Sequence, residues 1–311
     1  MATISAPQNY ANVYSSGLRL AAMISAQVSL LLSDKASLRD LVMFGGDITG
    51  SGSNAIKLRY ADYGAGQPFV SASDGVALAA QDMTGETATI TIGRSAMRYN
   101  LSDLMVMTSL GKDLDPFNIA NGLVEAAEAR MSALIAASFL STTTNKGSTG
   151  TDLTIANWLD AMYHLQGQSN NPPFHCVLAP SQFNHLQKAI RSENNNFLAF
   201  SAASEELARS KPQGYCGEFL GVELYKSSRV SETADTNGWH GAMFTKEGIA
   251  YGVGTPSSMV GGNQEIRPNG SPVVISFSRD EAAGLSEVIG HLYFGASLVE
   301  QSRVVGITTK K

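Results

Sequence analysis

The chain has 311 residues, enough to bury a full core in one large domain or two ordinary ones. Hydrophobic residues make up 43% and charged residues 16%, globular values whose low charge leaves much of the surface to neutral side chains. A net charge of −5 lacks the basic excess that a dedicated nucleic-acid binder carries, and two cysteines, Cys176 and Cys216, are too few for a disulfide framework.

The first 45 residues are expected to form an arm. Within it Leu20, Ile24, Val28 and Leu31 fall on one face of an amphipathic helix. The start of the chain lacks the basic region of a signal peptide, and no apolar run reaches the roughly 18 residues needed to span a bilayer. The expectation is a soluble, unexported chain in a reducing compartment.

Residues 53–60 alternate apolar and polar side chains as a strand does, and so do residues 87–92. The two are predicted to pair as a hairpin whose second strand runs on to Tyr99. The long connection between them is of a length that is uncommon unless functional. From Tyr60 to Gly93 there is no Lys or Arg, whereas Asp62, Asp74, Asp82 and Glu86 are present, so the hairpin is acidic toward its tip. A two-stranded ribbon is marginal alone in water, so support is expected from a neighbouring subunit, through basic residues that meet Asp62, Asp74 and Asp82.

The side-chain period then switches from two to about 3.6, marking a strand that feeds a helix. Asp115 is a favoured N-cap and Pro116 suits the first helical position. A stripe of Ala120, Leu123, Ala127, Met131, Leu134 and Ser138 predicts a helix to about Leu140, roughly 38 Å long. Its alanines would let a sheet come close. Residues 141–150 read as a linker by composition. Beyond it Thr154 caps a helix bearing Ile155, Trp158, Leu159 and Met162. A strand over 174–179, a helix opening at Pro180, and short strands at 221–225 and 242–245 make an α/β unit. Strands at 273–279, 287–294 and 298–307 are expected to form a terminal antiparallel sheet.

No pattern for chemistry emerges. His175 and Cys176 are neighbours on a strand and point to opposite faces. The cysteines have no metal-ligand spacing, and His164, His185, His240 and His291 are scattered. Gly64-Ala-Gly66 and Gly252-Val-Gly254 lack the third glycine and the helix of a dinucleotide turn. Asp113 and Asp115 could pair as acid and base, but capping accounts for Asp115. Glu205 and Glu206 read as a solvated helix face. No catalytic residue, cofactor or metal site is assigned.

The order of elements nevertheless resembles that of tailed-bacteriophage major capsid proteins of the Hong Kong 97-type fold. The residues that carry the resemblance are the alternating strand before Ser102-Asp103, then Asp115-Pro-Phe117 and the long helix through Arg130–Ile135. The step Val177-Leu-Ala-Pro-Ser-Gln-Phe-Asn-His-Leu186, the turn into a strand over 217–228, the segment 242–250 and the terminal strands complete it. The resemblance implies an α+β fold with an N-terminal arm (1–45), an extended hairpin or E-loop (46–100), a peripheral domain with a long spine helix (101–149 and 263–311) and an axial domain (150–262). It also implies self-association in hexamers and pentamers as an icosahedral head around double-stranded DNA, touched without sequence specificity, with no membrane partner. A virion location after assembly in the host cytoplasm follows. A scaffolding protein, a portal and a decoration protein are the implied partners. With only about 45 residues before the hairpin, and Met1 taken as the start, scaffolding is expected to be a separate protein or absent. An encapsulin-type compartment shares the fold and is the alternative; an α/β hydrolase or transferase is the enzymatic rival and has no motif here.

Overall fold

Alternating strands and an alanine-rich helix are what the chain builds. The structure, a computed structural model, describes residue 28 and residues 38–61, 85–102, 116–168, 172–192, 200–202, 210–212, 214–233, 237–255, 264–266, 272–280 and 282–311. Two sheets organise them. The six-stranded sheet runs β1 (Met43–Asp47), β11 (Ile249–Val253), β14 (Leu285–Leu298), β13 (Val273–Asp280), β12 (Gln264–Ile266), with β4 (Gly93–Ser102) also paired to β14. The seven-stranded sheet runs β5 (Asn145–Gly147), β15 (Val304–Lys310), β10 (Gly238–Phe244), β6 (Phe174–Leu178), β9 (Val222–Lys226), β8 (Tyr215–Phe219), β7 (Phe200–Ala202). A separate hairpin joins β2 (Ala55–Ala61) to β3 (Gly85–Thr91), with Ala55 opposite Thr91 and Ala61 opposite Gly85.

The long helix α1 (Pro116–Phe139) is the shared wall of the core. Its Ala120, Val124, Ala127, Met131 and Ile135 recur at helical spacing and pack with Val177, Tyr225 and Phe244 of one sheet and Ile275, Val288 and Leu292 of the other. Leu134, expected in the stripe, is only half-buried, and Ile135 takes the inward position. Close approach to the sheet depends on small residues. At Gly122 an added Cβ would lie 2.2 Å from the Tyr99 hydroxyl. Helices α2 (Ile155–Gly167) and α3 (Pro180–Ser192) cover the far face of the seven-stranded sheet, where Trp158, Leu165, Leu186, Phe219 and Leu224 form a second core. Thr154 caps α2 as expected, its hydroxyl accepting from the Asn157 amide at 3.2 Å. Gln182 is fully buried, accepts from the Ala179 amide and donates to the carbonyls of Trp239 and Ile307. It fastens α3 to β10 and β15.

Several expectations need correction. The extension toward Tyr99 does not continue the hairpin: β4 leaves it after Ile92 and pairs with β14 along its whole length. Residues 141–150 are no linker, because they contain β5, which pairs parallel with β15. Side chains hold that segment: Thr142 donates to the Phe139 carbonyl or the Asn145 side chain and also meets His240. Of the terminal strands, β13 and β14 pair antiparallel, but β15 leaves them and enters the seven-stranded sheet beside β10. Conversely β11, expected on the axial side, lies in the six-stranded sheet. Val28 is a helical residue fully buried in the larger core; Leu20, Ile24 and Leu31 fall outside the described residues. So do the Asp115 cap, Asp113, Gly64–Gly66, Glu205 and Glu206.

Candidate functional site

The hairpin is where sequence placed the functional contacts. Asp62, Asp74 and Asp82 lie outside the described residues, but the stem and its footing are described. Ile90 is fully buried with Ala250 and Val299, and Met43, Ile56, Leu58 and Ala88 pack around them. Three glycines make room for this footing. An added Cβ would meet the Ile90 side chain at 2.8 Å from Gly45, the Ile56 side chain at 2.5 Å from Gly252, and the Thr91 carbonyl oxygen at 2.1 Å from Gly295. Thus Gly252, a suspect fragment of a nucleotide turn, is there for packing. The stem is supported by its own subunit, contrary to the expectation that a neighbour must supply all of it.

A polar cluster lies on the α1 side of the seven-stranded sheet. The Glu223 carboxylate accepts from Lys211 Nζ at 2.6 Å, Tyr225 Oη at 2.7 Å and His175 Nδ1 at 3.1 Å. Burial acts to raise its pKa, but the three donors outweigh burial and hold the carboxyl below its usual range. Tyr225 is pushed up, by burial and then by Glu223, so it stays a phenol. All three side chains converge on one carboxylate, and the cluster knits β6, β9 and residue 211 together. Cys176, on the opposite face of β6 from His175, is fully buried in the second core, and burial drives its thiol well up. Cys216 donates to the Gly214 carbonyl, and β9 lies between the strands that carry the two free thiols. Among the described residues no group of three or more His, Cys, Asp or Glu is placed to hold a metal ion.

Four histidines are buried: His175 is bonded to Glu223, His240 lies between Thr142 and Thr308, His291 lies between Arg94 and Ser276, and His185 Nε2 stands 3.6 Å from Asp152. Burial is the main cause that lowers the pKa of each. In the unfolded chain they titrate near the ordinary value of about 6.5. As pH falls below about 6.5 the unfolded state therefore takes up protons first, and stability declines until the folded values are passed. Glu223 adds a second loss at lower pH, since its stabilisation disappears as pH falls through its depressed value. The midpoint of urea unfolding is expected to drop between about pH 7.5 and about pH 5.5. An unchanged midpoint would contradict the burial of these rings.

Two open clefts flank α1. One of about 300 Å³ runs between the helix and β4, lined by Met97, Leu123, Ala126 and Leu292. The other, about 410 Å³, is lined by Glu125, Glu128, Lys226 and Arg229. Among the described residues the large exposed apolar side chains, Phe44, Met97, Leu140 and Tyr163, sit on different parts of the chain. Singly exposed apolar residues name no interface by themselves. The described residues offer a scaffold, open clefts and a hairpin stem packed on the six-stranded sheet.

No family model matches the chain, and no curated protein does. Solved structures do. The capsid of Ralstonia phage GP4 superimposes with a TM-score of 0.60 at 10% identity, over 89% of this chain and 91% of that one. The chain has the Hong Kong 97-type capsid fold. The capsid of the cyanophage P-SCSP1u gives a TM-score of 0.58 at 13% identity, with 89% of each chain covered. The holo-SrpI encapsulin complex from Synechococcus elongatus PCC 7942 gives 0.59 at 10% identity, over 87% of this chain and 85% of that one. Within the Hong Kong 97-type fold, α1 is the spine helix. The signal that found the fold was the order of elements, because identity this low leaves few shared side chains.

Proposed function

We propose that the protein is the major capsid protein of a tailed bacteriophage, a structural subunit and not an enzyme, whose copies close into an icosahedral shell around double-stranded DNA. The observation that supports this reading is the likeness to the GP4 capsid over nine-tenths of both chains. In it the arm (1–45), the hairpin (46–100), a peripheral unit (101–149 and 263–311) and an axial unit (150–262) divide the work, with β15 and β11 exchanged across that division. Subunits meet in hexamers and pentamers. Asp62, Asp74 and Asp82 meet basic residues of the adjoining copy. A scaffolding protein, a portal and a decoration protein are the partners, and assembly takes place in the host cytoplasm. The likeness to the SrpI complex favours a second reading, a protein compartment that encloses a protein cargo.

Negative-stain microscopy of the full chain, expressed alone and with its candidate scaffolding protein, is expected to show closed isometric shells. Sedimentation as monomers and small oligomers under both conditions would overturn the shell reading. Nuclease-resistant DNA inside particles supports the phage reading, whereas a co-purifying enzyme inside them supports the compartment.

A further inference from the structure

We propose that His291 is a proton-sensitive clasp that sets how firmly the root of the hairpin is held on the six-stranded sheet. Strand β3 ends at Thr91 and β4 begins at Gly93, so Arg94 carries the first side chain of β4, two residues past the buried Ile92. Its Nη2 lies 3.1 Å from His291 Nδ1. A guanidinium only donates, so Nδ1 accepts and the ring proton sits on Nε2. That nitrogen then donates to Ser276 Oγ, also at 3.1 Å. One neutral tautomer satisfies both contacts. A second proton would have to go on Nδ1, facing the guanidinium, in a residue only 5% exposed. The hydrogen bond to Arg94 would be lost and two like charges would face each other.

Nothing described on that face offsets the charge. Arg94 and Arg98 stand opposite Tyr293 and Ile289 in register, on the same side of the sheet as His291. Of the carboxylates on this face, Glu287 is held by Arg98 at 3.2 Å and by Ser278 at 2.8 Å, and Asp280, opposite Leu285 at the far end of the ladder, accepts from the amides of Ala282 and Ala283. Strand β13 contributes Val274 and Ser276, which carry no charge. Burial, then Arg94, both keep the ring neutral at ordinary pH. On the opposite face Arg130 Nε holds Ser95 Oγ at 3.2 Å, a contact with no titrating acceptor. Between clasp and hairpin lies Gly93, exposed, where a side chain would meet nothing within 4 Å. Releasing Arg94 therefore frees the junction on one side while the footing at Ile90 stays packed. Mild acid loosens the hairpin root without unfolding the subunit. The device belongs to a single subunit and does not require the shell reading.

Hydrogen exchange of the full-length chain, with exposure times scaled for the intrinsic pH effect, tests it. Amides of residues 88–96 are expected to lose about tenfold of protection between about pH 7.5 and about pH 5, the effect of losing one hydrogen bond to a charged group. Those of α2 should not. His291→Gln keeps an acceptor and a donor but cannot titrate, so its protection should match the wild type at the higher pH and persist at the lower one. Arg94→Gln should exchange at the higher pH as the wild type does at the lower. Equal wild-type protection at both pH values, or a decline in His291→Gln equal to that of the wild type, would overturn the clasp.

Discussion

Replacing residues 62–84 by an Asn-Gly turn is expected to leave the subunit folded and to abolish shell formation. Ala61 and Gly85 face each other across the ladder, so a two-residue turn of that type can close the shortened stem. The remaining strands keep their footing, since Ile56, Leu58, Ala88 and Ile90 pack on Ala250 and Val299. The melting temperature should therefore shift by no more than about 4 °C. What the deletion removes is the acidic segment with Asp62, Asp74 and Asp82, for which the shell reading assigns a contact on the adjoining copy. Substituting any one of these should do little, because an exposed ion pair contributes only about 0–1 kcal/mol. Normal shells from the deletion variant would show the segment to be a loop without a partner.

Gly295→Ala is expected to have the larger effect on the subunit itself. Its Cβ would stand 2.1 Å from the Thr91 carbonyl oxygen, 2.8 Å from the Thr91 carbonyl carbon and 3.1 Å from Ile92 Cα. All three are backbone atoms, so no side-chain rotation relieves the clash and the strand must move off the sheet. Overpacking of this kind costs about 1–3 kcal/mol, and the displaced Ile90 adds lost burial. Thermal unfolding should fall by several degrees, and protection from exchange should drop at residues 85–92. Gly93→Ala is the control: it lies beside the same root and meets nothing within 4 Å. Equal melting temperatures for Gly295→Ala and the wild type would refute the tight footing.

Local elements were legible because their signals are local. The alternation at 53–60 and 87–92 reports the pairing of β2 with β3, and the 3.6-residue period from Pro116 reports α1. Thr154 announced its helix because capping needs only three residues of context. Partnership over long range was not legible. Nothing in Val304–Lys310 says that it pairs with β10 rather than β14, since a short run rich in β-branched residues and buried on both faces fits either sheet. The polar stretch 141–150 looked like a linker because Thr142 and Asn145 are polar for an internal reason, namely to engage His240 and the end of α1. The partners of the buried histidines were not legible either, because the group that makes a polar ring tolerable inside lies far off in sequence. Acidic residues of the hairpin were the readable part of the candidate site; the glycines beneath it read as failed motifs until the packing explained them.

The placement of β15 bears on when the molecule becomes complete during its synthesis. That strand follows every other described strand in the chain, yet it lies second in the seven-stranded sheet, between β5 and β10. Until a ribosome has delivered it, β10 presents a bare edge and β5 has nothing to pair with. Gln182 likewise waits for the Ile307 carbonyl. Both sheets share α1 as a wall, so an unfinished sheet leaves one side of that wall without its full cover. A chain cut short before Val304 therefore lacks both the partner of β5 and the neighbour of β10, and cannot reach the finished form.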